Sequence, residues 1–439
     1  MELGPVAVPD EAKQTGEIRD RWCWVEPSVW TERMLTALED GVKGGKWFAL
    51  IDKVYSPPNL NASYRKVKAN RGSSGVDHES IEHFHRHREA NLEKLHARLK
   101  AGTYSPQAVR RVYIPKAGSK TGRPLGVPTV RDRVVQTALR SVLEPIFERD
   151  FAEHSYGFRP GRGCKDALRR VHRLLRDGYT HVVDADLRSY FDTIPHEPLM
   201  ELIRRKIADG RVLELIQAYL SQKVMDTAKQ WTPEEGTPQG GVISPLLANI
   251  YLDPLDHMMA STGIEMVRYA DDLVLMCRSQ AAAEEALDLL RAWTDSAGLA
   301  LHPEKTQIVD AAAGGFEFLG YRFERGHIWP RWKSVNKLKD NIRSRTPRTS
   351  GQSLNAIVAD VNRSLRGWSE YFKHGQGSVF RGIDAWARMR LRSILRKRDG
   401  GSGRGRGRDH QRWPNAFFAK QGLFSLELAQ ARYRQSLNR

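Results

Sequence analysis

The chain has 439 residues, three cysteines and a formal net charge of +18, enough length for two or three packed units without a disulfide or metal staple. Cys23, Cys164 and Cys277 lie far apart with no CxxC pair, which argues against a structural zinc site and for three buried small apolar residues in a reducing, cytoplasmic setting. No stretch approaches the ~18 uninterrupted apolar residues of a membrane span, and the first residues lack a basic end followed by an apolar run, so no membrane is expected to take part. The charge is unevenly placed. Residues 331–439 carry 25 Lys and Arg against 7 Asp and Glu, whereas residues 1–330 carry 45 of each. A basic quarter on a neutral body calls for a polyanion, and nucleic acid, bound with counterion release, fits better than a membrane surface, which would want a strongly apolar opposite face.

Four tryptophans, Trp22, Trp24, Trp30 and Trp47, crowd the N-terminal segment and should pack it onto a larger body. From Ser63 to Leu99 the pattern is helical and basic, broken by the turn-like "NRGSSGVD". Residues 109–130 alternate basic and apolar side chains around a Gly-Ser-Lys-Thr-Gly turn, as a two-stranded ribbon does. In "RDRVVQTALRSVLEPIFERDF" the apolar residues recur at helical spacing. "HVVDADL", residues 181–187, is a short strand ending in carboxylates, and a helix follows from about Glu197 to Leu220. "EGTPQGGVISPLLANIYLDPL" gives a Gly-rich turn opening a long apolar helix. Residues 266–277, "MVRYADDLVLMC", fit a hairpin, residues 281–297 a helix, and "GFEFLGYRFE" a strand pair. Strands and helices interleave without a strict βαβ repeat, so the fold class is α+β.

The basic region differs. "SLNAIVADVNRSLRGWSEYF" keeps its apolar residues to one helical face, and "DAWARMRLRSILRKR" sets Arg388, Arg392 and Arg396 four apart on one ridge. Three like charges in a row destabilise the chain unless an anion meets them, which makes this ridge the candidate RNA-binding element. "GGSGRGRGR" at 400–408 reads as a flexible basic linker, and the residues after it as a small docked element.

Asp271 and Asp272 stand side by side between apolar runs. Adjacent aspartates can simply cap a turn, but Asp186 closes a second apolar strand and Phe191 follows it by five positions. Carboxylates gathered on neighbouring strands repel unless divalent cations neutralise them, and all-oxygen ligands suit magnesium. Two such ions about 3.5–4 Å apart serve in-line phosphoryl displacement, which is polymerase chemistry. Asp184 shares a strand face with Asp186 and is a competing ligand, and Asp192 is read as a structural hydrogen-bonder.

"RPLGVPTVRDRVVQTAL", "HSYGFRPGRGCKDAL", "VVDADLRSYFD", "GTPQGGVISPLLANIYL" and "RYADD", followed by "GLALHPEKTQIV", "GFEFLGYRF" and "SLRGWSEYFKHG", resemble in order and spacing the blocks of a group II intron-encoded reverse transcriptase. The resemblance implies a right-hand polymerase fold. Residues 1–62 would be a Trp-rich segment, 63–180 an N-terminal extension and fingers, and 181–330 the palm with the aspartates. Residues 331–399 would be a helical thumb or maturase domain and 400–439 a basic linker and C-terminal element. It implies that Asp186, Asp271, Asp272 and the carbonyl of Leu187 hold two magnesium ions, and that Phe191 is the gate that admits deoxynucleoside triphosphates (dNTPs). Lys116 and Arg123, joined by Arg110, would grip the triphosphate, Gln239, Gly240 and Gly241 would floor the pocket, and Lys305 would protonate leaving pyrophosphate.

The implied activity is RNA-directed DNA synthesis on an RNA template with a DNA or RNA primer. The implied partners are group II intron RNA, whose splicing the protein would assist, and target DNA; a homodimer is left open. Full-length members of the family often end in a nuclease domain with paired cysteines and clustered histidines, and the residues up to Arg439 show neither at that end, which resembles the endonuclease-lacking branch. Two alternatives stand beside this reading: a host-adapted reverse transcriptase for defence or repair, and an RNA-binding maturase with vestigial polymerase activity.

Overall fold

The computed structural model describes residues 18–115, 122–226, 229–405 and 407–437. Eleven strands are described. They are β1 (Val109–Ile114), β2 (Arg123–Val127), β3 (His181–Asp186), β4 (Val224–Asp226), β5 (Lys229–Trp231), β6 (Glu265–Tyr269), β7 (Asp272–Cys277), β8 (Gln307–Asp310), β9 (Gly315–Phe318), β10 (Tyr321–Glu324) and β11 (His327–Pro330). They form three sheets, ordered β2-β1-β4-β5, β6-β7-β3-β8 and β11-β10-β9, with helices between them, so the α+β expectation holds. The chain divides into two compact units, one of residues 1–172, 185–277 and 281–307, the other of residues 173–184, 278–280 and 308–439.

In the first unit the helix Val130–Glu148 is buried on most of its faces, as its all-round apolar pattern requires. Thr129 caps it. The Thr129 hydroxyl accepts from the Asp132 amide and donates to the Asp132 carboxylate at 2.9 Å, which satisfies one terminal amide and fixes the hydroxyl that does so. The tryptophan-rich segment packs here as expected. Trp30 is fully buried, its indole donating to the Ser141 carbonyl at 2.9 Å, and it meets Trp47 edge-on. The expected ribbon is the antiparallel pair β1–β2; its Gly-Ser-Lys-Thr-Gly turn lies outside the described residues.

The single helix expected near residues 197–220 is two, His196–Arg204 and Gly210–Leu220. Asp209 separates them. Its carboxylate caps the second helix and also accepts from the amides of Leu50 and Ile51, a tertiary demand that local periodicity does not reveal. Of the cysteines, Cys277 is buried as expected, whereas Cys164 is half-buried and Cys23 exposed, which corrects the expectation for those two.

In the second unit Leu338, Ile342, Ile357, Val361, Leu365, Phe380, Leu391, Phe418 and Leu426 share one apolar core, built from the helices Trp332–Arg345, Leu354–Phe372 and Gly377–Arg398 and the C-terminal helices. Described residues of the stretch read as a flexible linker contact the third of these helices. The Gly401 amide donates to the Arg396 carbonyl at 2.8 Å, and Gly405 abuts the Arg392 side chain.

Candidate active site

Strand β3 ends at Asp186 because the chain beyond it is tied to residues 300–302. The amide of His302 donates to the Asp186 carbonyl and that of Arg188 to the Ala300 carbonyl, both at 2.8 Å, while Leu187 bridges Leu301. Ser189 then takes a positive φ of 51° and turns the chain into the short helix Tyr190–Thr193. That turn buries Phe191 against Tyr190.

On the neighbouring strand, Asp272 opens β7. Tyr269 pairs with Asp272, which leaves Ala270 and Asp271 as a two-residue turn. Turns of this length ask for positive φ at a central position, which glycine usually supplies; here Ala270 takes it, at φ 59°, a strain of about 1–3 kcal/mol that the surroundings must hold.

Two features hold it. Gly157 lies so close under the turn that a Cβ there would come within 2.3 Å of the Ala270 nitrogen. Arg268, fully buried, donates from Nη1 to the Ala270 carbonyl and to Asn249 Oδ1, each at 3.0 Å, and from Nε and Nη2 to the Asp256 carboxylate. Asn249 in turn donates to the Gly157 carbonyl at 2.8 Å. None of Gly157, Asn249, Asp256 or Arg268 stands out in the sequence as a site residue, although Arg268 is a charge among the apolar residues Met266, Val267 and Ala270.

Burial raises the Asp271 carboxyl above its ordinary range; a backbone hydrogen bond opposes this, the charge of Asp186 raises it further, and Arg123 and Lys305 pull it down. Asp271 is therefore within electrostatic reach of Asp186, Arg123 and Lys305. Lys305 Nζ lies 2.5 Å from Asp186 Oδ2, so a cation already sits on that carboxylate. Oxygen donors under like-charge pressure suit a hard divalent cation, and the residues fit one. Among the described residues no three His, Cys, Asp or Glu side chains are gathered closely enough to hold a metal by themselves; a carboxylate pair that leaves other ligand positions to phosphate and water is the arrangement magnesium accepts.

Arg123 Nε donates to Gln239 Oε1 at 3.2 Å, and the Gln239 carbonyl accepts from the Gly126 amide at 2.7 Å. Gly240, at φ 112°, leaves no room for a side chain: a Cβ would lie 2.3 Å from the Gly126 carbonyl oxygen. Phe191, Asp192, Gly126, Gln239, Arg111 and Trp231 line a cavity of about 490 Å³. Burial raises the Asp192 carboxyl, and Arg111 and Arg123 pull it back.

Arg110 does not join Arg123. It lies toward the far end of the ribbon, opposite Val127, and its guanidinium donates to the Ser74 carbonyl. Lys116 lies outside the described residues.

The picture of a ridge of unmatched charge is corrected at Arg392 and Arg396. Arg392 is 3% exposed, donates to the Trp413 carbonyl and Asn415 Oδ1, and lies over the Phe418 ring. Arg396 donates to the Ser402 carbonyl and pairs with Asp409 at 2.6 Å. Carbonyls and a carboxylate meet these two charges, and both arginines clamp the C-terminal residues.

A strained acidic turn beside a second acidic strand end, faced by cations, is a phosphoryl-transfer site in character. Residues 114–323 match the family model described as reverse transcriptase (RNA-dependent DNA polymerase), and residues 335–413 the group II intron, maturase-specific domain. The chain is 38% identical to protein YkfC of Escherichia coli over 273 residues, 53% of this chain and 71% of that protein. It is also 38% identical to the group II intron-encoded protein LtrA of Lactococcus lactis subsp. cremoris, over 50% of this chain and 36% of LtrA, so it spans only about a third of that relative. The nuclear intron maturase 4 of Arabidopsis thaliana is 27% identical over 51% of this chain and 27% of that protein. The chain belongs to the group II intron-encoded reverse transcriptase and maturase family, whose catalytic domain is an RNA-directed DNA polymerase working with divalent metal ions.

Proposed function

We propose that the protein copies RNA into DNA, extending a DNA or RNA primer with dNTPs, and that its basic C-terminal region binds group II intron RNA to assist splicing and entry into target DNA in the cytoplasm. Residues 63–180 would serve as extension and fingers, 181–330 as palm and 331–399 as thumb and maturase region. Among the described residues no helix is long and apolar enough to cross a membrane.

Asp186 and Asp271, with the Leu187 carbonyl, would hold the metal, for which magnesium is the choice that oxygen donors favour, and Asp272, exposed at the start of β7, would join them only once the ion draws the carboxylates together. When bound, two such ions lower the pKa of the primer 3′-hydroxyl and stabilise the leaving oxygen. The chain's own residues do the rest. Arg123, fixed against Gln239, orients the triphosphate; Phe191, packed between Tyr190 and the cavity, leaves no room for a 2′-hydroxyl; Gly240 lets the backbone approach the new base pair. Lys305 Nζ neutralises Asp186 and is the proton donor within reach of leaving pyrophosphate.

The observation that carries this reading is that Asp271 feels the charges of Asp186, Arg123 and Lys305 while Lys305 sits on Asp186. Primer extension on an RNA template, with and without magnesium, tests it. Magnesium-dependent incorporation of dNTPs is expected, and its absence in protein that still binds the template would overturn the proposal.

A further inference from the structure

We propose that Arg268 is a positioning residue for the catalytic turn, acting as one unit with Asp256, Asn249 and Gly157. The inference rests on the polymerase reading above and adds residues to which that reading gives no role.

An arginine that is 1% exposed, beside the buried Met266 and Val267 of its strand, carries a desolvation penalty that only a full set of partners offsets. Arg268 has that set, and its division is informative. Nε and Nη2 fork onto the Asp256 carboxylate, itself buried on the helix Ser244–Ser261. Burial raises the Asp256 carboxyl, and the charge and hydrogen bonds of Arg268 oppose that rise.

The remaining nitrogen, Nη1, is aimed at the turn, toward the Ala270 carbonyl and Asn249 Oδ1. The Arg268 backbone is fixed as well, its amide donating to the His154 carbonyl and its carbonyl accepting from the Tyr156 amide. The guanidinium thus connects the long helix to the peptide immediately before Asp271. Stability alone would be met by any acceptor for Nη1, so the choice of acceptor is the informative part. The third nitrogen pins the carbonyl of a residue in a sparsely populated conformation, and strain of that kind persists where the surroundings over-determine it. Rigid support of this sort is what holds a reacting group within the narrow tolerance of its chemistry.

The test uses the full chain. Arg268→Lys keeps a cation for Asp256 but has no second head to reach Ala270. Thermal unfolding, template–primer affinity, and kcat and KM for dNTP are measured on it and on the wild type. The expected result is an unfolding temperature, RNA affinity and KM near wild type, with kcat lower by about 100-fold. Should the lysine variant misfold, the double variant Arg268→Met with Asp256→Leu removes both buried charges and is expected to fold with the same loss of kcat. A folded variant of either kind with kcat within about twofold of wild type overturns the inference. Parallel loss of unfolding temperature, RNA affinity and kcat in both also overturns it, assigning the network to stability alone. Asp271→Asn is the separate control: if it extends primers normally, or the wild type does not extend them at all, the polymerase reading falls whatever Arg268 does.

Discussion

Replacing Gly157 with alanine adds one methyl group under the turn that presents Asp271. The new Cβ would lie 2.3 Å from the Ala270 nitrogen, 2.9 Å from the Tyr269 carbonyl carbon and 3.1 Å from the Ala270 Cα. All three are backbone atoms, so no rotamer change relieves the clash. Opening the closest contact to 3.0 Å, the shortest that real Cβ atoms show, displaces the turn by about 0.7 Å. A misplacement near 1 Å at a reacting group costs on the order of 100-fold in rate, which is about 2.7 kcal/mol of barrier. Overpacking destabilises by about 1–3 kcal/mol, partly offset by about 0.4–1 kcal/mol from the stiffer unfolded chain. Folding should therefore survive with an unfolding temperature lowered by a few degrees. Primer extension at saturating dNTP, beside thermal unfolding, reads both quantities. A folded variant whose kcat stays within about twofold of wild type would refute the claim that the position of this turn governs the chemistry.

Phe191→Ala should open the pocket beside the sugar and admit ribonucleotides; a ratio of ribo- to deoxynucleotide incorporation unchanged from wild type rejects Phe191 as the gate. His257 provides a pH signature elsewhere in the same unit. Its hydrogen bond to Asp253 raises its pKa from 6.5 to about 9, burial opposing. A raised folded pKa contributes stability that is complete below 6.5 and is lost as pH climbs through about 9. The pair is partly solvated and spaced i,i+4 on a helix, so the contribution is about 0.5 kcal/mol, or about 1–2 °C. Unfolding temperatures of wild type and His257→Ala should converge across that window, and parallel curves would contradict the assignment.

What the sequence reveals and what it hides follow from the range of the forces involved. The turn at Asp271 is legible because two apolar runs flank it, and the end of β3 because its apolar residues stop at carboxylates. The support beneath the turn is not legible. Gly157, Asn249, Asp256 and Arg268 span more than a hundred positions, and each alone has an ordinary local explanation. The break at Asp209 hides for the same reason, since two of its four amide donors come from residues 50 and 51. The arginines at 392 and 396 mislead in the opposite direction. Helical spacing correctly aligns them, but whether a charge meets solvent, an anion or its own chain depends on where residues 402–415 fold.

The central claim is that the acidic strand ends perform the chemistry and do not merely hold the fold. Asp271→Asn removes one of those charges at nearly constant volume, and relieves a carboxylate that burial already disfavours. Measured together on one RNA template, primer extension should fall by at least about 1,000-fold while RNA affinity and unfolding temperature hold at or above wild type. Extension that persists, or extension and RNA affinity that disappear together, would contradict the account.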